Sequence, residues 1–383
     1  MRVLITALAP SHLLCMVPLA WAARAAGHDV LVAGRVEVCA VARQAGLHTA
    51  DVAVLPVESL RPRGARPFPA HGWRHPWELR VDQVLDGCLA AALSFRPDLV
   101  VCDPIEFAGL VVAGLLGVPA VVQRWGGPGT GGAGVLERAR EVLGDFCADL
   151  GLGAPGLPDP VLTLDPCPPS LRFEEAEPGR PMRFVPYNGS HPVPDWARRA
   201  PRRPRVCVTL GLHGSTVAAQ DGDPAQAEEL TARLEAAVGA LARRPDVDVV
   251  LTAPAALHRR LTGLPGWFRV VERAPLDAVL PGCSLVVHHG GTGTAMTAAV
   301  HGVPQLVLPT DHPAWAACAD GLVRRRVARR PEADDRKNPD ALARELDILL
   351  GPNPHRDHAR SLAGEIADQP SPARMVPVLE AMG

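Results

Sequence analysis

The stretch Leu285-Val-Val-His-His-Gly-Gly-Thr-Gly-Thr-Ala-Met-Thr-Ala-Ala-Val300 decides how the chain is read. It opens on an apolar run, Leu285 to Val287, continuous enough for a buried parallel strand. It closes on a small-residue segment able to run as a helix, and the next turn signal is Gly302-Val-Pro304. Two histidines and three glycines lie between them. A strand entering a helix through a glycine-rich turn offers bare backbone N–H groups and the positive end of the helix dipole to whatever sits above the sheet. That is an anion site of the phosphate or diphosphate kind.

An echo of this stretch lies almost half a chain earlier. Leu99-Val-Val-Cys-Asp103, an apolar helical segment and Gly117-Val-Pro119 parallel Leu285-Val-Val-His-His289, its helix and Gly302-Val-Pro304. Two strand–helix–strand units of one pattern predict two similar doubly wound lobes. At the N-terminus, Arg2-Val-Leu-Ile-Thr6 reads as a first strand, residues 7–13 as a loop, 15–26 as a helix and 28–33 as a second strand. Such a crossover makes the two strands parallel. The first 26 residues also have the outline of a secretory signal, but Pro10, Ser11 and His12 interrupt what should be its continuous apolar core. The folded reading is therefore preferred. No apolar run is long enough to span a bilayer.

Helices are expected over residues 36–45, 78–95, 107–116 and 135–150, with strands at 98–103 and 118–122. Residues 55–77 are irregular and carry prolines, arginines, Trp73 and Trp77; a binding-pocket wall and a plain surface excursion are both open readings. Residues 126–134 are glycine-rich but hold no lysine, so they read as a flexible loop rather than a Walker-type phosphate loop. Between residues 154 and 204 stand 13 prolines, too many for continuous secondary structure, which places the interdomain connection there. Beyond it, 205–211, 247–253 and 268–271 read as strands, and 228–243, 340–350, 358–367 and 373–382 as helices. Asp246-Val-Asp248 has the form of a metal-binding Asp-x-Asp, but it sits at the start of its strand, where a solvated turn is the simpler reading. The basic run from Arg324 to Arg330 reads as a solvated face.

Composition narrows the function classes. A net charge of −2 gives no electrostatic reason to expect nucleic acid or an anionic membrane as partner. Nine cysteines without a Cys-x-x-Cys pair point to reduced, buried thiols in a cytosolic protein rather than to disulfides or a cysteine metal site. His12 lies beyond the C-terminal end of the first strand, where open α/β sheets place ligands. Its other reading is that of a capping or solvated histidine. No Gly-x-Gly-x-x-Gly follows the first strand, which argues against a dehydrogenase.

The motifs taken in order resemble those of the antibiotic-type glycosyltransferases of the GT-B fold, which move deoxysugars from nucleoside diphosphates to polyketide aglycones. The resemblance rests on Pro10-Ser-His-Leu-Leu-Cys-Met-Val-Pro-Leu-Ala-Trp21, Gly27-His-Asp-Val30, Leu162-Thr-Leu-Asp-Pro-Cys-Pro-Pro-Ser-Leu171, Val185-Pro-Tyr-Asn-Gly189, His288-His-Gly-Gly-Thr-Gly-Thr294 and Gly302-Val-Pro-Gln-Leu-Val-Leu-Pro309. It implies an α/β protein of two Rossmann-like lobes facing a cleft. The acceptor lobe would be 1–190, overlapping the connection 154–204, and the donor lobe 205–362. A tail, 363–383, would pack back towards the first lobe. It also implies that His288 contacts the donor diphosphate and that Gly290, Gly291, Thr292 and Gly293 add backbone or hydroxyl contacts. The turn at Gly211 would face the same diphosphate, and Arg273 and Ala274 would meet the base of a thymidine diphosphate. His12 matches the base of an inverting transfer, a task that suits an imidazole, with Asp103 to orient it. Trp73, Trp77 and Trp125 are the aromatic candidates for the aglycone. No metal or other cofactor is implied.

One departure stands out. Relatives follow Leu-Pro of the C-terminal strand with an acidic residue and a glutamine, whereas this chain has Pro309-Thr-Asp-His-Pro-Ala-Trp315. Asp311 and His312 would have to hold the sugar from a shifted position. The sequence leaves open O- or C-transfer, monomer or homodimer, and an auxiliary protein. It also leaves two rival activities, a nucleotide-sugar 2-epimerase of the same fold and a non-catalytic donor- or aglycone-binding partner.

Overall fold

The computed structural model describes residues 1–53, 75–129, 134–153, 156–173, 179–212, 224–310 and 313–383. Among these, thirteen strands form two parallel sheets. The first contains β1 (Arg2–Thr6), β2 (Asp29–Gly34), β3 (His48–Asp51), β4 (Leu99–Cys102), β5 (Ala120–Gln123), β6 (Leu162–Asp165) and β7 (Arg180–Pro181) in the order 3-2-1-4-5-6-7. The second contains β8 (Arg205–Thr209), β9 (Asp248–Thr252), β10 (Phe268–Val271), β11 (Leu285–His288), β12 (Gln305–Val307) and β13 (Ala328–Arg329) in the order 10-9-8-11-12-13. Matched strand for strand, the two orders are the same over six strands. β4 and β11, the two members of the sequence echo, occupy equivalent central places, beside β1 and β8. In both sheets the order reverses between those pairs, and the crevice above such a reversal is where doubly wound sheets bind ligands.

The helices of the first lobe are α1 (Pro10–Ala25), α2 (Val36–Gln44), α3 (Pro76–Phe95), α4 (Phe107–Leu116) and α5 (Val135–Asp149). α1 begins earlier than the sequence pattern suggested. Pro10 takes the first helical position, where its fixed φ suits the helix and its missing N–H is no loss. His12 therefore lies in the first turn of a helix rather than in a loop. Val3, Ile5, Val30 and Val32 turn to α1 and bury Leu13, Met16 and Val17, while Leu4, Val100 and Cys102 turn to α3, α4 and α5 on the other face. This is the period-2 alternation of a sheet covered on both sides.

The second lobe carries α6 (Pro224–Leu241), α7 (Ala255–His258), α8 (Leu276–Val279), α9 (Thr292–Val300), α10 (Pro313–Arg324), α11 (Pro339–Leu350) and α12 (His355–Asp368); α13 (Val376–Glu380) follows. Two short strands, β6 and β7, take up part of the proline-rich segment and extend the edge of the first sheet. From the end of α12 the chain meets first-lobe residues. Ser170 donates its N–H to Glu365, Arg183 binds the carbonyls of Gln369 and Pro370, and His28 pairs with Glu380 at 2.9 Å. The basic run is not a purely solvated face. Arg324 donates to the carbonyls of Leu171 and Arg172 and lies over the Phe173 ring, and Arg325 donates to Ser170.

Candidate active site

His12 and Asp103 meet above the reversal between β1 and β4. Asp103 is buried to 1% and stands on the loop leaving β4. Its Oδ1 accepts the Ile105 N–H at 2.9 Å, and its Oδ2 accepts both the Leu8 N–H at 2.7 Å and His12 Nδ1–H at 3.0 Å. The carboxylate is thus held by two backbone donors before it touches the imidazole. With Nδ1 carrying the proton, Nε2 is left as a lone pair on a side chain that keeps 17% exposure. The Trp125 indole lies on the imidazole with ring centroids 3.9 Å apart and planes tilted by 36°. A base oriented by a buried carboxylate and packed on a flat ring needs little reorganisation to accept a proton.

On the cavity side of Asp103 the loop continues to Glu106, whose carboxylate accepts the Ala108 and Gly109 N–H groups and caps α4. Burial first, and then the neighbouring Asp103, push Glu106 up to about 7, against the hydrogen bonds from these two amides. Glu106 lines a cavity of about 290 Å³ with Ala7, Leu8, Trp77, Val84 and Phe107. Trp77 rests on Phe107 at 5.0 Å. Its wall is mixed, with Arg35, Arg80 and Gln83 beside Glu106 as polar residues and Trp77, Val81, Val84, Ile105 and Phe107 among the apolar ones, a lining that suits a ligand with both apolar and polar parts.

In the second lobe the loop leaving β11 has a different content. His288, the last residue of the strand, is 2% exposed, and both its ring nitrogens are committed. Nδ1 accepts the Gly290 N–H at 3.1 Å, so Nε2–H donates to Gln305 Oε1 at 2.8 Å. Gln305 in turn donates to the Ala295 carbonyl. Burial, only partly offset by the Gln305 hydrogen bond, lowers His288 to about 4, so the ring is held neutral. His288 shapes the turn from beneath.

His289 is the residue that lies among the glycines. A side chain at Gly291 would place its Cβ 2.4 Å from His289 Nε2, and one at Gly211 would place it 2.8 Å from His289 Cε1 and 3.0 Å from Thr294 Oγ1. Gly211 also has φ +65°, so any other residue there would be strained as well as blocked. Trp315 closes on the imidazole at 4.6 Å, edge to face. Gly291 is the N-cap of α9, and no side chain caps that helix among the described residues. Its first N–H groups and dipole end are set for an anion from outside.

The two edges face each other. Gly127, two residues after Trp125, lies against Thr292, and Pro128 against Gly321 of α10. Asn188 of the connection accepts the Asp277 N–H at 2.8 Å and reaches Thr297 of α9. Among the described residues no group of three or more His, Cys, Asp or Glu is placed to hold a metal ion. No helix among them is long and apolar enough to cross a membrane.

Comparison with known proteins decides what this pair of edges belongs to. Residues 21–211 match the N-terminal domain, and residues 235–382 the C-terminal domain, of the erythromycin biosynthesis protein CIII-like family. The chain is an antibiotic-type GT-B glycosyltransferase. It is 39% identical to the L-demethylnoviosyl transferase of Streptomyces niveus, over 97% of this chain and 96% of that one. It is 33% identical to the TDP-daunosamine transferase DnrS of Streptomyces peucetius, over 99% and 96%. Among solved structures, the spinosyn rhamnosyltransferase SpnG superposes with a TM-score of 0.84 at 35% identity, covering 99% of this chain and 100% of that one. SpnG has been solved with thymidine diphosphate and with spinosyn aglycone.

The fold and family expected of this glycosyltransferase from its motifs stand. Its site expectations sort by geometry. His12, Asp103 and Trp125 come together. Gly211, Gly291, Thr292 and Gly293 share the opposite edge, while Arg273 and Ala274 follow β10 along it. The role expected of His288 needs correction, because a buried ring with both nitrogens engaged has nothing left to offer a diphosphate. Gly290, also buried, spends its N–H on that ring. The sequence pattern overlooked His289, although adjacent residues at a strand end face opposite ways and only one of two histidines can point out of the sheet. Trp73, Asp311 and His312 lie outside the described residues.

Proposed function

We propose that this glycosyltransferase moves a deoxysugar from thymidine diphosphate to a hydroxyl of a polyketide-type or related aglycone, with inversion at the anomeric carbon. The observation that carries the reading is the His12–Asp103 pair at 3.0 Å, set across from the uncapped N-terminus of α9. The acceptor lies in the first lobe, with its apolar part in the cavity beside Trp77 and its hydroxyl at His12 Nε2. As the oxygen attacks the anomeric carbon, Nε2 takes its proton, and Asp103 stabilises the imidazolium. The bond from the anomeric carbon to the diphosphate oxygen breaks, and the electron pair leaves with thymidine diphosphate. The N–H groups of the α9 terminus, the Thr292 hydroxyl and His289 receive the developing charge, which is the larger share of such catalysis. No metal is needed in this scheme. Arg273 and Ala274 border the base of the nucleotide. Nine free cysteines fit a reducing cytosol.

The test is turnover. With a panel of TDP-deoxysugars and polyketide or phenolic acceptors, the wild-type protein should release thymidine diphosphate and form a glycoside, both visible by mass spectrometry. His12→Ala should lower kcat by about 100- to 10,000-fold, the range of a general base, while calorimetry finds thymidine diphosphate binding unchanged. Near-normal turnover in that variant would remove His12 as the base.

A further inference from the structure

We propose that Trp125 is a positioning residue for the base, and that the short loop it begins ties the orientation of His12 to the state of the phosphate-binding turn. This rests on the roles proposed above for His12 and Thr292. The stem of the loop is pinned: Gln123 donates to the Cys15 carbonyl at 2.7 Å, and Arg124, 6% exposed, is paired with buried Asp165 at 3.1 Å. Next comes Trp125, whose indole covers the His12 imidazole. Two residues further, Gly127 is pressed on the other lobe, where a Cβ would stand 2.7 Å from Thr292 Cγ2 and 2.9 Å from Thr292 Oγ1. Pro128 and Gly129 then lie against Gly321 and Ala317 of α10, each so close that a Cβ at Gly129 or Gly321 would come within 2.6 Å.

The chain therefore runs from the base in one lobe to the first residue of α9 in the other in two residues, about 7 Å when fully extended. Any displacement of Thr292 when a diphosphate settles on α9 is passed to Gly127. Because Arg124 holds the stem, Trp125 is the part free to take it up. The indole has a reason to move. Its Nε1 is buried without a hydrogen-bond partner among the described residues, an arrangement that costs about 1–3 kcal/mol. A small shift that gives the N–H an acceptor oxygen would lower that cost and re-aim the imidazole beneath it. Donor binding would thus finish the base, so that proton abstraction is set up only when a leaving group is in place.

The experiment follows the His12 imidazole by NMR in protein labelled with 13C-histidine, the His12 signal being assigned by its loss in His12→Ala. Thymidine diphosphate is the probe, since it occupies the phosphate turn but carries neither sugar nor acceptor. Saturating thymidine diphosphate should move the His12 signal in the wild type, and by less in Trp125→Phe, which keeps a ring but not the N–H. It should leave the signal in place in Trp125→Leu, with affinity within about threefold. Gly127→Ala should break the response from the other end, and in turnover the Trp125→Leu/Gly127→Ala double variant should fall no further than the worse single one, as expected for coupled sites. A silent His12 in wild-type protein that binds thymidine diphosphate, an equal response in Trp125→Leu, or additive losses would each overturn the proposal alone. Failure to bind thymidine diphosphate at all would bring down the donor reading with it.

Discussion

The loops that leave β4 and β11 occupy the same place in two sheets of the same order, yet they end in opposite treatment of the helix that follows. After β4 the chain supplies its own acceptor: the Glu106 carboxyl oxygens accept the Ala108 and Gly109 N–H groups and fill the N-terminus of α4. After β11 the equivalent position is Gly291, and the terminus of α9 is left uncapped. The histidine and aspartate content is divided in the same way. The first loop puts a buried carboxylate, Asp103, behind an imidazole on another element, while the second buries one imidazole, His288, beneath the turn and leaves a second, His289, among the glycines. On the proposed reading, a duplicated scaffold yields one edge for proton transfer and one for phosphate. The choice rests on whether the helix N-terminus is already occupied.

The sharpest way to break that contrast is to give α9 the cap that α4 has. Gly291→Asp would place a carboxylate on the same N–H groups, and its Cβ would drive into His289 Nε2. Like charge against a diphosphate costs several kcal/mol, and each 1.4 kcal/mol is tenfold. Thymidine diphosphate affinity should fall by about 100-fold or more in calorimetry. Unchanged affinity would mean that the diphosphate binds elsewhere. A smaller effect separates the two histidines. His289→Ala should weaken thymidine diphosphate about tenfold, the worth of one charge-assisted hydrogen bond. His288→Ala should instead lower stability by about 1–3 kcal/mol, because Gln305 Oε1 and the Gly290 N–H lose their buried partner. The reverse pattern, His288→Ala stable but unable to bind, would put His288 back on the ligand.

What the sequence revealed of this contrast was its frame. The shared Leu-Val-Val and Gly-Val-Pro punctuation of the two units was enough to predict two like lobes, because buried parallel strands and helix C-caps are written in local residue types. His12 and Asp103 were legible as residues beyond strand ends. That Asp103 would orient His12 followed from the resemblance; the contact itself depends on β1 and β4 being neighbours, which brings together two residues 91 apart in the chain. The choice between His288 and His289 depended on one register position at the end of β11. The glycines of the 126–134 stretch have a packing reason that their sequence does not show. Glycines there read as flexibility in one dimension, while in the fold Gly127 and Gly129 are small because Thr292 and Ala317 leave no room. Glu106 gave no signal at all, being one acid before an apolar helix until burial made it a cap.

The effect most concealed in the wild type, and the one that separates the lobes without any ligand, is on pH. His288 is lowered by burial from 6.5 to about 4, so between these values the unfolded chain binds a proton that the folded second lobe refuses, and stability is lost as pH falls. His301, lowered by burial against the pull of Asp277, and His355, lowered by burial and by Arg329, add to the same slope. Glu106 works in the other direction. Raised from 4.5 to about 7, it keeps its proton in the folded first lobe where the unfolded chain has released it, so stability is lost as pH rises through that window. At about 1.4 kcal/mol for each pH unit, Glu106 and His288 alone would each tilt stability by about 3 kcal/mol across their ranges. In the overlap between 4.5 and 6.5 the proton counts of Glu106 and His288 cancel, so a whole-chain melt conceals both. Glu106→Gln removes one side of the balance. Its melting temperature should therefore drop more steeply than that of the wild type as pH is lowered from 6.5 to 4.5. A His288→Gln variant should instead gain relative to the wild type on the acid side. Calorimetric scans of the three proteins at matched ionic strength check this, and parallel curves would show that neither buried group holds its stated protonation in the fold.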